Sequence, residues 1–243
     1  MARPARDPGI DGPRDTVSAT PPPTPGFLAI PIDSGAPFRR LVNQLGPERL
    51  TLFLKLNRVD LAHVRAGDTL LLPADSTTGA LALAPFPTRL PALDSVPKLL
   101  AVSLRVQAFA AYDSGRLVIW GPTSTGKRTT PSPTGLFHAN WKARETRSTD
   151  NEEWLLRWYV NIQSQRGISL HEYDLPGRPA SHACVRLLGQ DAEWIYYWVD
   201  QWKVTATGAP SWSTALRCWC SEHTPGTRSR RGGGWVKIRS PPP

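Results

Sequence analysis

Cysteine is scarce in this chain. Three residues in 243, Cys184, Cys218 and Cys220, are odd in number, and the last two lie too close for an easy mutual bridge, so a disulfide framework is excluded. Long apolar runs are lacking too. No stretch approaches the roughly 18 residues that a membrane-spanning helix needs, which points to a soluble or peripheral chain with no transmembrane segment. The opening residues, Met1 to Pro25, are rich in Pro, Arg and Asp and have no apolar core of an export signal. Without hydrophobic periodicity, residues 1–26 are expected to be disordered. Acidic residues are the minority. Twenty Asp and Glu stand against 29 Lys and Arg, a formal charge of +9, which favours anionic partners such as wall polymers, membranes or nucleic acid without choosing among them. Much of that excess sits at the ends, with Arg228, Arg230 and Arg231 beside Gly232 to Gly234, and reads as a solvated tail.

Apolar residues make up 40% of the chain, enough for a core, and the length suits one ordinary domain plus a small one. Order is expected from Phe27. Phe38, Leu41, Val42 and Leu45 recur at helical spacing, Gly46 and Pro47 interrupt them, and Leu50, Phe53 and Leu54 resume the pattern, predicting two short helices. Val64 to Pro73 reads as a glycine turn at Gly67 into a closing strand. Residues 76–96 carry Pro85, Pro87 and Pro91 and read as a linker. Leu104 to Gly126 predicts two alternating strands joined at Tyr112-Asp113-Ser114-Gly115. Trp194, Trp198 and Trp202, at i, i+4 and i+8, predict a helix-packing face rather than a sugar platform.

The chemistry concentrates in Ser181-His182-Ala183-Cys184-Val185-Arg186, with His171 eleven positions before His182. A cysteine attacks as thiolate, and a neighbouring imidazole can take its proton, as cysteine acyl transfer requires. Pro176, Gly177 and Pro179 between the two predict a loop that reverses the chain, setting His171 and Cys184 face to face. A buried lone cysteine is otherwise a small hydrophobe. The surrounding pattern, rather than the thiol itself, makes it a candidate nucleophile.

That pattern resembles the L,D-transpeptidase catalytic domain, or YkuD domain, of bacterial cell-wall enzymes. His171 matches the family's upstream histidine. Ser181, His182, Cys184, Val185 and Arg186 match its Ser/Thr-His-Gly-Cys run, the following apolar residue and the Asn or Arg after it. Ala183 stands where the family has glycine. If that backbone takes positive φ, alanine costs about 1–2 kcal/mol, and if φ is negative almost nothing. Ser124-Thr125-Gly126, Pro133-Thr134-Gly135-Leu136-Phe137 and Trp158 to Leu170 are similar to further family motifs in the same order. Residues 27–75, through Asn57, Gly67, Leu70 and Pro73, resemble a LysM peptidoglycan-binding module with Leu28 to Asp33 as its divergent first strand, although a small packing domain without glycan affinity fits the same residues.

The resemblance implies a mainly β protein: a β-sandwich catalytic domain with few helices over 97–205, a small α+β LysM-like module before it, and a divergent, disordered tail from 206. It implies Cys184 as nucleophile and His171 as its base. His182 either moves protons or shapes the pocket, and Ser181 hydrogen-bonds within the turn. Backbone N–H groups near Ala183 and Cys184 would hold the oxyanion, and the Glu172 carbonyl would orient the His171 ring. Two readings of Arg186 stand, a bidentate grip on a substrate carboxylate and an ion pair supporting the loop. The substrate class is the peptidoglycan stem peptide on its glycan, the protein a monomer with no metal or organic cofactor and no nucleic-acid partner. An envelope or periplasmic location follows from the resemblance alone, and the missing export signal argues against it.

The competing readings are a wall-binding or decayed member, favoured by Ala183 and by the apparent loss of a final strand after Thr205, and a cytosolic cysteine peptidase. Two other motifs lead elsewhere. Gly121 to Arg128 approaches a phosphate-binding loop, but Arg128 replaces the required hydroxyl and Pro131 and Pro133 forbid the helix that would follow. Cys218, Cys220 and His223 lack the fourth ligand of a zinc site.

Overall fold

The computed structural model describes residues 26–33, 36–201 and 217–221. The N-terminal segment expected to be disordered lies outside them, as do Trp202, His223 and most of the expected tail.

An N-terminal unit forms from β1 (Phe27–Pro31), α1 (Ala36–Asn57) and β2 (Thr69–Pro73). The two strands pair antiparallel, Leu28 opposite Leu72 and Ile30 opposite Leu70. Ile30, Leu70 and Leu72 meet Phe53 and the apolar stripe Phe38, Leu41, Leu45, Leu50. The helix is in fact two, broken at Gly46 (φ 68°, ψ 170°), where the left-handed backbone suits glycine and Pro47 starts the second segment. Asn57 ends the helix by giving its amide to the Leu71 carbonyl and accepting from the Leu71 N–H, each at about 2.8 Å or less. Its side chain thereby acts as a surrogate strand edge against β2.

Residues 76–96 do not behave as a loose linker. Two short 3₁₀ turns, Ala80–Leu83 and Pro91–Leu93, press Phe86 and Leu93 into a core shared with Leu99, Ala101, Tyr112, Leu117 and Trp120. The Tyr112 hydroxyl donates to the Pro87 carbonyl at 2.9 Å. Prolines that spoil periodicity leave single apolar anchors free to pack, and the segment is a strap over the sheet.

The rest is mainly β: β3 (Lys98–Ser103), β4 (Ala108–Asp113), β5 (Arg116–Ser124), β6 (Gly135–His138), β7 (Trp141–Arg147), β8 (Leu155–Gln163), β9 (Ile168–Glu172), β10 (Val185–Leu187), α2 (Gly189–Trp198) and β11 (Arg217–Ser221). Hydrogen-bonded neighbours run β6-β11-β3-β4-β5-β10-β9-β8-β7. The β4–β5 hairpin turns at Ser114 and Gly115, as the sequence predicts. One core lies between the halves of the curled sheet, joining Leu100, Phe109, Val160, Leu170, Val185 and Leu187 to Ala192 and Ile195 of α2. The carbonyls at the end of α2 are met by lysines: Lys142 donates to Tyr196 and Val199 at 2.7 and 2.9 Å, and Lys98 to Trp198 at 2.8 Å. Trp194 and Trp198 stack at 5.2 Å against the core edge.

Two expectations are corrected here. The chain after residue 205 does not lack a last strand: β11 sits inside the sheet, parallel to β3 and antiparallel to β6. Five residues amid a long aperiodic stretch carry too little pattern to announce a strand. The loop between His171 and Cys184 does not make a hairpin either. β9 and β10 are parallel, with Val185 opposite Leu170 and Arg186 opposite His171, so residues 173–184 form a crossover returning to the same end of the sheet.

Candidate active site

Period-two alternation on β9 and β10 sorts the side chains. Ile168, Leu170, Val185 and Leu187 face the core, which leaves Ser169, His171 and Arg186 on the opposite face. His171 is 4% exposed. Its Nδ1 lies 2.8 Å from the Glu172 carbonyl oxygen, which can only accept, so Nδ1 carries the proton and Nε2 keeps its lone pair. Burial pushes the imidazole down to about 4, the Glu172 contact opposing and Arg186 adding to the effect. Burial likewise pushes the Cys184 thiol up, against donors on Ser169 that lower it. Both shifts favour the neutral form, imidazole at His171 and thiol at Cys184.

The turn before Cys184 is held by its own serine and by residues 126–132. The Ser181 hydroxyl donates to the Cys184 carbonyl, and the Ser181 carbonyl accepts from the Lys127 N–H at 3.0 Å and the Thr130 hydroxyl at 3.1 Å. The Ser132 hydroxyl donates to the Ala183 carbonyl at 2.7 Å while accepting from the Gly126 N–H at 2.9 Å. Gly126 is obligatory there, since a Cβ would run into the Thr130 carbonyl and the Ser132 nitrogen. Ala183 takes φ 85°, so the costly alternative for alanine at this position holds. Gly121 to Ser124, part of the stretch that approaches a phosphate loop, is extended within β5, and Thr123 and Ser124 pair with β10.

His171, His182, Cys184, Arg186 and Ser181 line one small cavity. Its free volume is about 30 Å³, room for a water. His182 is exposed, its Nε2 3.2 Å from the Lys127 Nζ, which makes that nitrogen an acceptor, and its ring 5.4 Å from Trp154. Arg186 makes no ion pair among the described residues. Its guanidinium lies 4.5 Å from the centre of the Tyr173 ring, a cation–π contact that leaves the fork's edge unclaimed. The Glu172 side chain turns away from the cysteine to the start of α2, against Gly189. Among the described residues no group of three or more His, Cys, Asp or Glu is arranged to hold a metal.

Several residues of the site escape a sequence reading. Ser148, Asp150 and Trp154 come from the β7–β8 loop, whose position over the cavity has no local signal. Ser169 could have been found by counting two back from His171. The N-terminal unit also reaches the site: Asp60 accepts from the Leu175 N–H at 2.7 Å and donates its own N–H to the Leu175 carbonyl at 3.0 Å, with Val59 bridged to Pro176.

A mainly β sheet thus carries a histidine on β9 and a cysteine just ahead of the parallel β10, both lining one cavity. Residues 97–228 match the model of the YkuD L,D-transpeptidase catalytic domain. The chain belongs to that family. Among solved structures it is similar to an L,D-transpeptidase from Stackebrandtia nassauensis (20% identity, 62% of this chain and 70% of that one, TM-score 0.46). It is also similar to one from Mycobacterium smegmatis (18%, 51% and 58%, 0.41) and one from Mycobacterium tuberculosis (23%, 51% and 57%, 0.40). The match thus spans 58% of the Mycobacterium smegmatis chain. No curated protein matches.

Proposed function

We propose that the protein is a cysteine-dependent L,D-transpeptidase acting on peptidoglycan stem peptides. The observation that carries this reading is the common cavity of Cys184, His171 and Arg186, with the His171 Nε2 left free to accept a proton. Nε2 removes the Cys184 proton. The thiolate adds to the amide carbonyl of the third, L-centred residue of a stem tetrapeptide, and backbone N–H groups near Ala183 and Cys184 stabilise the oxyanion, about 3–4 kcal/mol per donor. The tetrahedral adduct collapses, its amide nitrogen takes the proton from His171, and the terminal D-Ala leaves. An amine of a second stem then attacks the thioester to make a cross-link, or water releases it. Arg186, a half-buried cation on which Asp174 bears but which makes no ion pair among the described residues, is suited to a substrate carboxylate. His182 shapes the rim and Ser181 fixes the turn.

The N-terminal unit, a β-α-α-β arrangement resembling a LysM module, is proposed to bind wall glycan, and the protein to work in the cell envelope. The alternative reading, a non-catalytic wall-binding member, is favoured by the left-handed Ala183 alone. Intact-mass measurement after incubation with a carbapenem separates the two. A covalent adduct on the wild type that is lost in Cys184→Ala supports the enzyme. No adduct on folded protein refutes it.

A further inference from the structure

We infer that Ser169 is the residue that holds the Cys184 thiolate, switching from bystander to hydrogen-bond donor when the sulfur ionises. The inference rests on Cys184 being the nucleophile.

The register places it. With Val185 opposite Leu170 and Arg186 opposite His171, one step back along the parallel pair sets Cys184 beside Ser169. Ser169 is fully buried, and its Oγ lies 3.5 Å from the Cys184 Sγ. The backbone N–H of the same residue also bears on the sulfur. A second hydrogen-bond contact is the Gly167 carbonyl, 3.8 Å from Sγ, which in turn accepts from the Tyr159 hydroxyl at 3.3 Å. Asn161 steadies that phenol by donating to it at 3.2 Å.

Carbonyl and hydroxyl differ in what they can do. A carbonyl only accepts, so Gly167 is a partner for the S–H form and an electrostatic burden on the thiolate. A hydroxyl rotates. Once the proton has moved from Sγ to the His171 Nε2, the sulfur can only accept, and Ser169 supplies two donors to it, O–H and N–H, in a site otherwise too dry to hydrate the charge. The charged or titratable groups bearing on the sulfur are Arg186, which favours the thiolate, Asp150, which opposes it, and the Tyr159 phenol, which also bears on the Ser169 hydroxyl; the His171 ring stacks on Tyr159 at 6.5 Å. None of these hydrogen-bonds to Sγ among the described residues.

The test is the pH dependence of Cys184 alkylation by iodoacetamide, followed on the full chain by peptide-resolved mass spectrometry so that Cys218 and Cys220 do not contribute. Ser169→Ala is expected to raise the midpoint by about one unit, the size of one hydrogen bond to a charged group. Below the midpoint the alkylation rate should fall about three-fold, because the scarcer thiolate is also more basic and more nucleophilic. Ser169→Thr and Ser169→Val differ by the hydroxyl alone and serve where alanine does not fold: threonine should keep the wild-type midpoint and valine should shift it as alanine does. Identical midpoints for threonine and valine, or an unmoved midpoint in folded Ser169→Ala, overturn the inference. Because alkylation needs no acyl substrate, a shifted midpoint with no carbapenem adduct would sink the transpeptidase reading and leave this one standing.

Discussion

Ala183→Gly sets three effects against one another at the residue before the candidate nucleophile. The wild-type alanine sits at φ 85°, where a Cβ crowds the backbone by about 1–2 kcal/mol, and glycine removes that strain. The methyl is 4% exposed and packs with the main core, so deleting it forfeits about 0.8 kcal/mol of burial. Glycine also frees the unfolded chain, a further loss of about 0.4–1 kcal/mol. Gain and losses nearly cancel. The expected change in stability is within about 1 kcal/mol of zero, which for a chain of this size is a melting shift of about 4 °C or less. Ala183→Val, measured in the same thermal and urea unfolding assays, has no such balance. A β-branched side chain at positive φ is a true outlier, and the packed surroundings resist its two extra carbons. A loss above about 2 kcal/mol is expected. A valine variant that melts with the wild type would show that the backbone at residue 183 is not left-handed. A glycine variant that loses more than about 2 kcal/mol would show that the methyl's packing outweighs the strain.

His171 predicts a pH-dependent stability. Its folded value is held near 4 against an ordinary 6.5, so between those limits the unfolded chain binds a proton that the folded chain refuses, and stability falls as pH drops through the window, by on the order of 3 kcal/mol in all. Urea unfolding of His171→Gln should lack that part of the slope; equal slopes would refute the assignment. Lys55 and Asp191 form an ion pair of 2.6 Å with both side chains buried, Lys55 also donating to the Trp120 carbonyl at 3.1 Å. Lys55→Met should cost about 3–5 kcal/mol, and the double variant with Asp191→Leu should regain most of it. Gly126→Ala should prevent folding of the Ser181–Cys184 turn, read as loss of carbapenem acylation, because a Cβ meets backbone that cannot withdraw. Asp60→Ala should slow acylation of Cys184 several-fold by releasing Leu175, while a rate equal to the wild type would mean that the loop between His171 and Cys184 needs no support from outside the sheet.

What could be read from the sequence was whatever rests on short-range pattern. The helix break at Gly46-Pro47, the hairpin at Ser114-Gly115 and the strand that follows the Gly67 turn all follow from spacing and turn residues within a dozen positions. The candidate site was legible for a different reason: its reactive residues fall in two short strands and one turn. Long-range choices were not legible. Nothing near Lys55 announces a carboxylate 136 positions on, and nothing in residues 173–184 says whether the strands they join run parallel or antiparallel. Phe86 and Leu93 are single anchors between prolines, with no period to betray burial. Ser169 looks like a polar residue on the outer face of a strand until the register sets it beside Cys184.

The same long-range contacts change what the N-terminal unit does in the molecule. A tethering module would hang on a flexible segment and touch the catalytic half little. Here the segment after the unit is packed through Phe86 and Leu93, and α1 is fastened to α2 and β5 by the buried Lys55. Its exit, Val59 and Asp60, grips Leu175 and Pro176 inside the crossover between the candidate base and nucleophile. Arg58 makes this reach with a left-handed backbone, φ 55°, a strain that persists because contacts on both sides fix it. Leu175 is fully buried and bonded to Asp60 through both its N–H and its carbonyl. The Ser181–Cys184 turn is tied by Lys127, Thr130 and Ser132, whereas the first part of the crossover, which has no helix of its own, is tied through Leu175 and Pro176. The grip from outside the sheet therefore adds rigidity to the segment between the candidate base and nucleophile, which is what the Asp60→Ala variant measures.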